Sequence, residues 1–149
     1  PDSGRVGYGG YSGGEGFYGG WGGGGGDLPI TVLEMYTVAL ALVTWGERLR
    51  NRKVVIWCDN QSVTHILTKQ ASKCGKLSML LREAVLACLQ FNVLIKAKYV
   101  RSEANVLADS LSRGDLRRFW SAAPPSARPT PSETPRASAL QSALRSINS

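Results

Sequence analysis

The sequence has little cysteine and histidine: 149 residues include three cysteines and one histidine. Cys58, Cys74 and Cys88 lack the spacing of a metal-ligand motif, and their odd number leaves one over in any disulfide framework. With no signal peptide or long apolar span ahead of them, we expect an intracellular protein, cytoplasmic or nuclear, with no membrane partner. Acidic residues are also few, 11 against 18 Lys and Arg, and the net charge of +7 suits a polyanionic partner such as nucleic acid.

Glycine is scarce everywhere except at the amino end, where 14 of the 17 glycines fall within residues 1–26. Two interpretations of "GRVGYGGYSGGEGFYGGWGGGGG" are open. It could be a flexible glycine-tyrosine segment that stacks on single-stranded nucleic acid. Alternatively, residues 6–12 and 15–21 could pair across Gly13 and Gly14 as a β-hairpin, followed by a flexible "GGGGG" connection.

The chain as a whole is 43% hydrophobic, which is enough for one globular core, and we expect that core in the middle of the chain. The stretch "ITVLEMYTVALALVTWGERLRN" from Ile30 onward is apolar nearly all round and predicts a mostly buried helix that ends near Gly46 and Asn51. Glu34 is the only charged residue within 30–45, and a carboxylate in that setting needs a cation or hydrogen bonds. The alternative is that Glu34 is exposed at the helix start, where the helix dipole favours it.

The run "VVIWCDNQSV" predicts a buried strand over 53–58 that ends on Asp59. Asp59 could simply form a turn or cap the short helix expected over 61–67, or it could belong to a site with other acids. A further helix is predicted over 76–90, with a packed face formed by Leu77, Leu80, Leu81, Ala84, Leu86 and Leu89.

Two more elements complete the core. "VLIKAKYV" alternates apolar and basic residues and predicts a half-exposed strand, and Asn105 is expected to cap a last helix that carries Asp109 one turn in. This order predicts a mixed sheet with helices packed against it. Acids recur where elements begin or end, and clustered carboxylates are best tolerated around a divalent cation, for which oxygen ligands favour magnesium or manganese.

Together, "LEMYTVALALVTWG", "VVIWCDNQSVTHIL" and "NVLADSLSR" resemble the ribonuclease H domain of retroelement polyproteins. The ending "ANVLADSLSRGDLRRFWSAAPPSARPTP" resembles the linker after this domain in DIRS-type retrotransposons, which carry a tyrosine recombinase farther along. The resemblance implies a ribonuclease H-like α/β fold, a mixed central sheet flanked by helices with its first strand largely missing. Residues 1–26 would then be the glycine-rich hairpin region, 27–120 the core, and 121–149 a Pro/Ser-rich linker without fixed structure.

In activity, the resemblance implies a nuclease that cuts the RNA strand of RNA–DNA hybrids with two Mg²⁺ (or Mn²⁺) ions. The family's four acids match Asp2, Glu34, Asp59 and Asp109. Contacts to the hybrid are expected from five polar or basic residues: Ser3, Asn60, Lys69, Lys73 and Lys76.

The resemblance further implies neighbouring reverse transcriptase and recombinase domains in a polyprotein. Two other functions are open: a catalytically inactive remnant that binds nucleic acid or another partner, and a Gly/Tyr-rich nucleic-acid binder with a helical core.

Overall fold

The computed structural model describes residues 7–12, 15–20, 29–101, 104–131 and 140, in which strands and helices are mixed along the chain. The strands are β1 (Gly7–Ser12), β2 (Glu15–Gly20), β3 (Lys53–Cys58), β4 (Leu94–Tyr99) and β5 (Arg128–Pro131). The helices are α1 (Ile30–Leu49), α2 (Gln61–Lys69), α3 (Gly75–Phe91), α4 (Val106–Ser112) and α5 (Leu116–Ala122). The α/β class predicted from the sequence is confirmed.

The glycine-rich amino end forms a hairpin where it is described. β1 and β2 pair antiparallel, from Gly7 opposite Gly20 to Ser12 opposite Glu15, which confirms the predicted hairpin pairing. The "GGGGG" tract at 22–26 lies outside the described residues.

The described strands form two sheets, where the sequence predicted one central mixed sheet. One sheet has the order β1-β2-β5, and the other consists of the parallel pair β3-β4, in register from Lys53 opposite Leu94 to Cys58 opposite Tyr99. Parallel neighbours need a crossover connection, and α2 and α3 supply it. Among the described residues no strand joins the two sheets, so the ribonuclease H-like arrangement remains a prediction.

The β3-β4 sheet buries one face only. Val54, Ile56 and Cys58 of β3 face inward, whereas Trp57 is 56% exposed, so β3 is half-exposed rather than a buried strand. Strand β4 alternates in the same way, which confirms its predicted half exposure. The reason is that helices cover only the inward face of this two-stranded sheet.

The main core lies between α1 and α3, with Tyr36, Met35, Leu40 and Leu80 fully buried. Helix α1 runs through Gly46 to Leu49, two residues before Asn51, close to the end that the sequence predicted. Among the described helices α1 alone is long and apolar enough to cross a membrane, with a mean hydropathy of 1.2. Half of that window is buried in the fold, and core helices pass the same test, so this is weak evidence for a span.

The packed face of α3 differs from the predicted one in its second half. Leu80, Leu81 and Ala84 are buried as expected, but Leu86 and Leu89 are 51% and 73% exposed. The helical period instead continues this face through Ala87 and Phe91, because residues three and seven positions beyond Ala84 lie above it on the helix. Leu86 and Leu89, which the sequence placed on the packed face, therefore lie on the outer side of α3.

Part of the segment predicted as an unstructured linker is ordered. Residues 128–131 form β5, which pairs parallel with β2, and Leu140 is buried in the main core. Proline is compatible with such a strand because β5 is at a sheet edge, where a missing N–H donor can face away from the neighbouring strand. Composition favoured disorder, but these contacts offset the chain entropy locally.

Candidate functional site

Two of the predicted acids meet at the carboxyl end of β3. Asp59 follows the last residue of β3, and Glu34 lies on the side of α1 that faces this strand. The carboxylate oxygens of Glu34 and Asp59 and the Sγ of Cys58 all lie within 4.8 Å of one another. Both acids are partly exposed and Cys58 is buried, so the three donor atoms stand at the boundary between core and solvent.

A groove of about 230 Å³ surrounds this cluster. Its long walls are one stripe of α1, running from Glu34 to Leu49, and consecutive residues of β3, running from Val54 to Cys58. Gly10 of β1 and the first turn of α4 complete the lining. The walls of the groove are mostly apolar. The two acids, Glu34 and Asp59, lie together where the groove passes the end of β3.

Capping does not account for Asp59. The N-cap of α2 is Asn60, whose side-chain oxygen accepts a hydrogen bond from the Val63 N–H at 3.0 Å. The cap of α2 is therefore provided by Asn60 and not by Asp59. Asn60, expected to contact the hybrid, uses its side-chain oxygen in this cap.

The helix dipole does not account for Glu34 either. Helix α1 begins at Ile30 after Pro29, and its first turn contains no acidic residue. Dipole stabilisation falls off within the first turn, so Glu34 lies beyond the region where it is strong. Its position is better explained by the groove that it lines.

Asp109 has a different environment from the other two acids. It lies in the first turn of α4, is 5% exposed and is not a member of the cluster formed by Glu34, Cys58 and Asp59. Its Oδ2 accepts hydrogen bonds from Arg113 Nε at 3.1 Å and from Arg118 Nη1 at 2.7 Å. The structure thus brings Glu34 and Asp59 together and pairs Asp109 with two arginines.

Of the remaining predicted site residues, those that the structure describes do not line the groove. Asp2 and Ser3 lie outside the described residues. Lys69 and Lys73 are exposed, at the end of α2 and in the loop that follows it, and Lys76 is partly buried in the first turn of α3. These lysines could contact phosphates only where a bound nucleic acid passes over the α2-α3 connection.

Sequence reasoning missed Cys58 and the two arginines. The Arg113 contact had a local signal, because Arg113, the C-cap residue of α4, lies four residues after Asp109. The Cys58 contact had a weaker signal, a cysteine directly before the acid at a strand end. The Arg118 contact had none in the helical periodicity, because Gly114 and Asp115 separate α4 from α5.

The donor set fits a hard divalent cation in part. Magnesium is commonly held by one or two carboxylates, with water and substrate phosphates completing its octahedron. Glu34 and Asp59 supply that number, whereas the Cys58 sulfur is not a ligand that magnesium prefers. A pair of magnesium ions would need further acids, which the resemblance would draw from Asp2 and Asp109.

No family model, curated protein or solved structure matches this chain. The fold and the site together define an α/β protein with an acid- and thiol-lined groove at the end of a parallel strand pair.

Proposed function

We propose that this chain is the ribonuclease H-like domain of a retrotransposon polyprotein, which hydrolyses the RNA strand of RNA–DNA hybrids with two Mg²⁺ or Mn²⁺ ions. The observation that carries the proposal is the meeting of Glu34 and Asp59, 25 positions apart in sequence, within 4.8 Å at the end of β3. Neither a helix cap nor a helix dipole explains the two carboxylates. A divalent cation bound between them would offset their mutual repulsion.

The proposed mechanism assigns each acid a position around the scissile phosphate. Bound between the acids, two divalent ions would lower the pKa of an attacking water and stabilise the leaving 3′ oxygen. Asp59 and Asp2 would be closest to both ions, Glu34 would hold the leaving-group side and Asp109 the nucleophile side. In this role Asp109 must exchange its arginine partners for metal.

Substrate binding in this proposal relies on charge and shape. The net charge of +7 favours a polyanion, and Lys69 and Lys73 stand exposed near one another in sequence, where DNA phosphates could be contacted. Recognition of the RNA strand would depend on its 2′-hydroxyls in the wide minor groove, which small polar groups can reach. Double-stranded DNA lacks these hydroxyls and should not be cut.

Cleavage of a labelled RNA–DNA hybrid in magnesium tests the proposal. The wild-type chain should cut the hybrid but not duplex DNA, and Asp59→Asn should abolish cleavage because it removes a charge that holds the ions. Asp115→Asn is the matched control, since Asp115 is exposed and caps α5, a role that asparagine fills equally well. Undiminished cleavage by Asp59→Asn would contradict the proposal.

The arginine pairing of Asp109 favours a second candidate, an inactive remnant that binds nucleic acid or another partner. With Arg113 and Arg118 on Oδ2, a buried acid is satisfied without any metal. This candidate predicts hybrid binding by the wild-type chain, no cleavage in magnesium or manganese, and a melting temperature that millimolar manganese does not change. Stabilisation by manganese that depends on Glu34 and Asp59 would argue against it.

A further inference from the structure

The third member of the cluster has no role in the proposed nuclease. Cys58 is the last residue of β3, is 5% exposed, and lines the same groove as Glu34 and Asp59. We infer that Glu34, Cys58 and Asp59 form a binding site for a thiolate-seeking divalent cation of the zinc class. The donor set carries the inference: one sulfur and two carboxylates from two elements converge at the boundary of the core.

The geometry is close to what such an ion requires. Zinc is bound at about 2.3 Å by thiolate sulfur and about 2.0 to 2.2 Å by carboxylate oxygen, so tetrahedral ligand atoms are roughly 3.5 Å apart. The three donor atoms here are within 4.8 Å of one another. Tetrahedral binding would require the partly exposed Glu34 and Asp59 side chains to move closer to each other, while Cys58 is held by the strand and the core.

The chemistry selects zinc over magnesium. As the sulfur-metal bond forms, the Cys58 S–H proton passes to solvent, and the resulting thiolate is a soft ligand that magnesium does not favour. Two carboxylates and one thiolate give the site a charge of −3, which a divalent ion reduces to −1. Three protein ligands leave a fourth position for water, as in open zinc sites.

The zinc-class site shares Glu34 and Asp59 with the proposed nuclease site, but binding of the ion does not require nucleic acid. If the chain is a nuclease, an ion held by Cys58 would occupy the place of one magnesium ion and inhibit cleavage; this consequence alone rests on the proposed function. Cleavage and zinc-class binding are therefore measured separately.

Titration of the full chain with Co²⁺, a spectroscopic substitute for Zn²⁺, tests the inference. The expected result is a near-ultraviolet thiolate-to-cobalt charge-transfer band that saturates at one ion per chain and disappears when Zn²⁺ is added. Cys58→Ser should lose the band, and Cys88→Ser, the matched control in a partly buried helix position, should keep it. The band comes from sulfur alone, so it reports on Cys58 and not on carboxylate binding.

Two carboxylate variants keep the test decisive if Cys58→Ser does not fold. Glu34→Gln and Asp59→Asn retain the thiol and should each weaken cobalt affinity by more than about 100-fold, beyond what loss of an outer-shell partner costs. No charge-transfer band in the wild-type chain would overturn the inference, and so would a band that persists in Cys58→Ser. Absence of hybrid cleavage in a chain that shows the band would count against the nuclease alone.

Discussion

Replacing Asp109 by asparagine separates a structural carboxylate from a metal ligand. The Asp109 side chain is 4% exposed, and its Oδ2 accepts hydrogen bonds from Arg113 and Arg118. Charge-assisted hydrogen bonds contribute about 1.5 to 3 kcal/mol each. The arginines are 37% and 39% exposed and regain water when the charge is removed, and the asparagine oxygen can keep one bond. We therefore expect a net loss of about 2 kcal/mol from the free energy of unfolding.

Urea unfolding and thermal melting in EDTA measure this loss. For a chain of this size, about 2 kcal/mol corresponds to a fall in melting temperature of roughly 4 to 8 °C, with an unchanged urea m-value. Asp115→Asn is the control on the same segment, because asparagine can accept the same hydrogen bond from the Arg118 N–H. The control should change stability by less than about 0.5 kcal/mol.

The opposite sign is expected if Asp109 belongs to a metal-free acidic cluster. Removing one of several repelling carboxylates would then leave stability unchanged or raise it. A variant Asp109→Asn that is as stable as Asp115→Asn in EDTA would refute the reasoning from the arginine pairing.

Three other outcomes are expected from the packing. Gly46→Ala should lower the free energy of unfolding by about 2 kcal/mol, because a Cβ there would lie 2.0 Å from the Phe91 ring. This overpacking outweighs the gain of about 1 kcal/mol in helix propensity. In a Phe91→Ala background, chemical denaturation should show that the same Gly46→Ala change is stabilising. Leu140→Ala should lower the free energy of unfolding by about 2 to 3 kcal/mol, since Leu140 is buried in the main core. Leu89→Ala should lower it by almost nothing, because Leu89 is exposed. Equal effects of the two substitutions would contradict the core position of Leu140. Burial raises the pKa of the Cys88 thiol. The rate of Cys88 alkylation, measured by mass spectrometry as a function of pH, should therefore rise only above the pH at which a free thiol ionises. An inflection of that rate at or below this pH would contradict the raised pKa.

The elements that the sequence predicts well are those with a strong local period. Helix α1 and strand β3 begin where their apolar patterns begin, and Asn105 lies at the predicted N-cap position of α4, although its side chain makes no capping hydrogen bond there. These signals act between residues a few positions apart, so no tertiary information is needed to detect them.

The contacts that escaped prediction join distant parts of the chain. Gly46 lies inside α1, where its bare backbone gives the Phe91 ring of α3 room to approach, and the local sequence gives no sign of this contact. The pairing of β5 with β2 joins residues more than 100 positions apart, and a proline-rich segment gives no local sign of it. Leu140 in the core is a further case, since burial of one leucine in a polar tail depends on where the tail passes.

The residues of the candidate site also differ in whether the sequence could predict them. Glu34 and Asp59 could be assigned to one site from sequence, because the motifs around both resemble those that carry the acids of ribonuclease H domains. Cys58 could not, because a cysteine in a strand has a sufficient explanation as a small apolar residue of the core. Its position beside two carboxylates becomes visible only when α1 is placed against β3.

The two environments of the acids imply an order of events if the proposed function holds. Arg113 and Arg118 together bring a charge of +2 to Asp109, the same as one divalent ion, so a metal at this carboxylate must replace a compensation that already exists. Glu34 and Asp59 have donor atoms within 4.8 Å of one another where the groove passes the end of β3. Mutual repulsion of these two acids favours cation binding, whereas the arginines at Asp109 oppose it. A divalent ion would therefore bind first at Glu34 and Asp59, and Asp109 would join only after its guanidinium partners turn out to solvent, where they are already more than a third exposed.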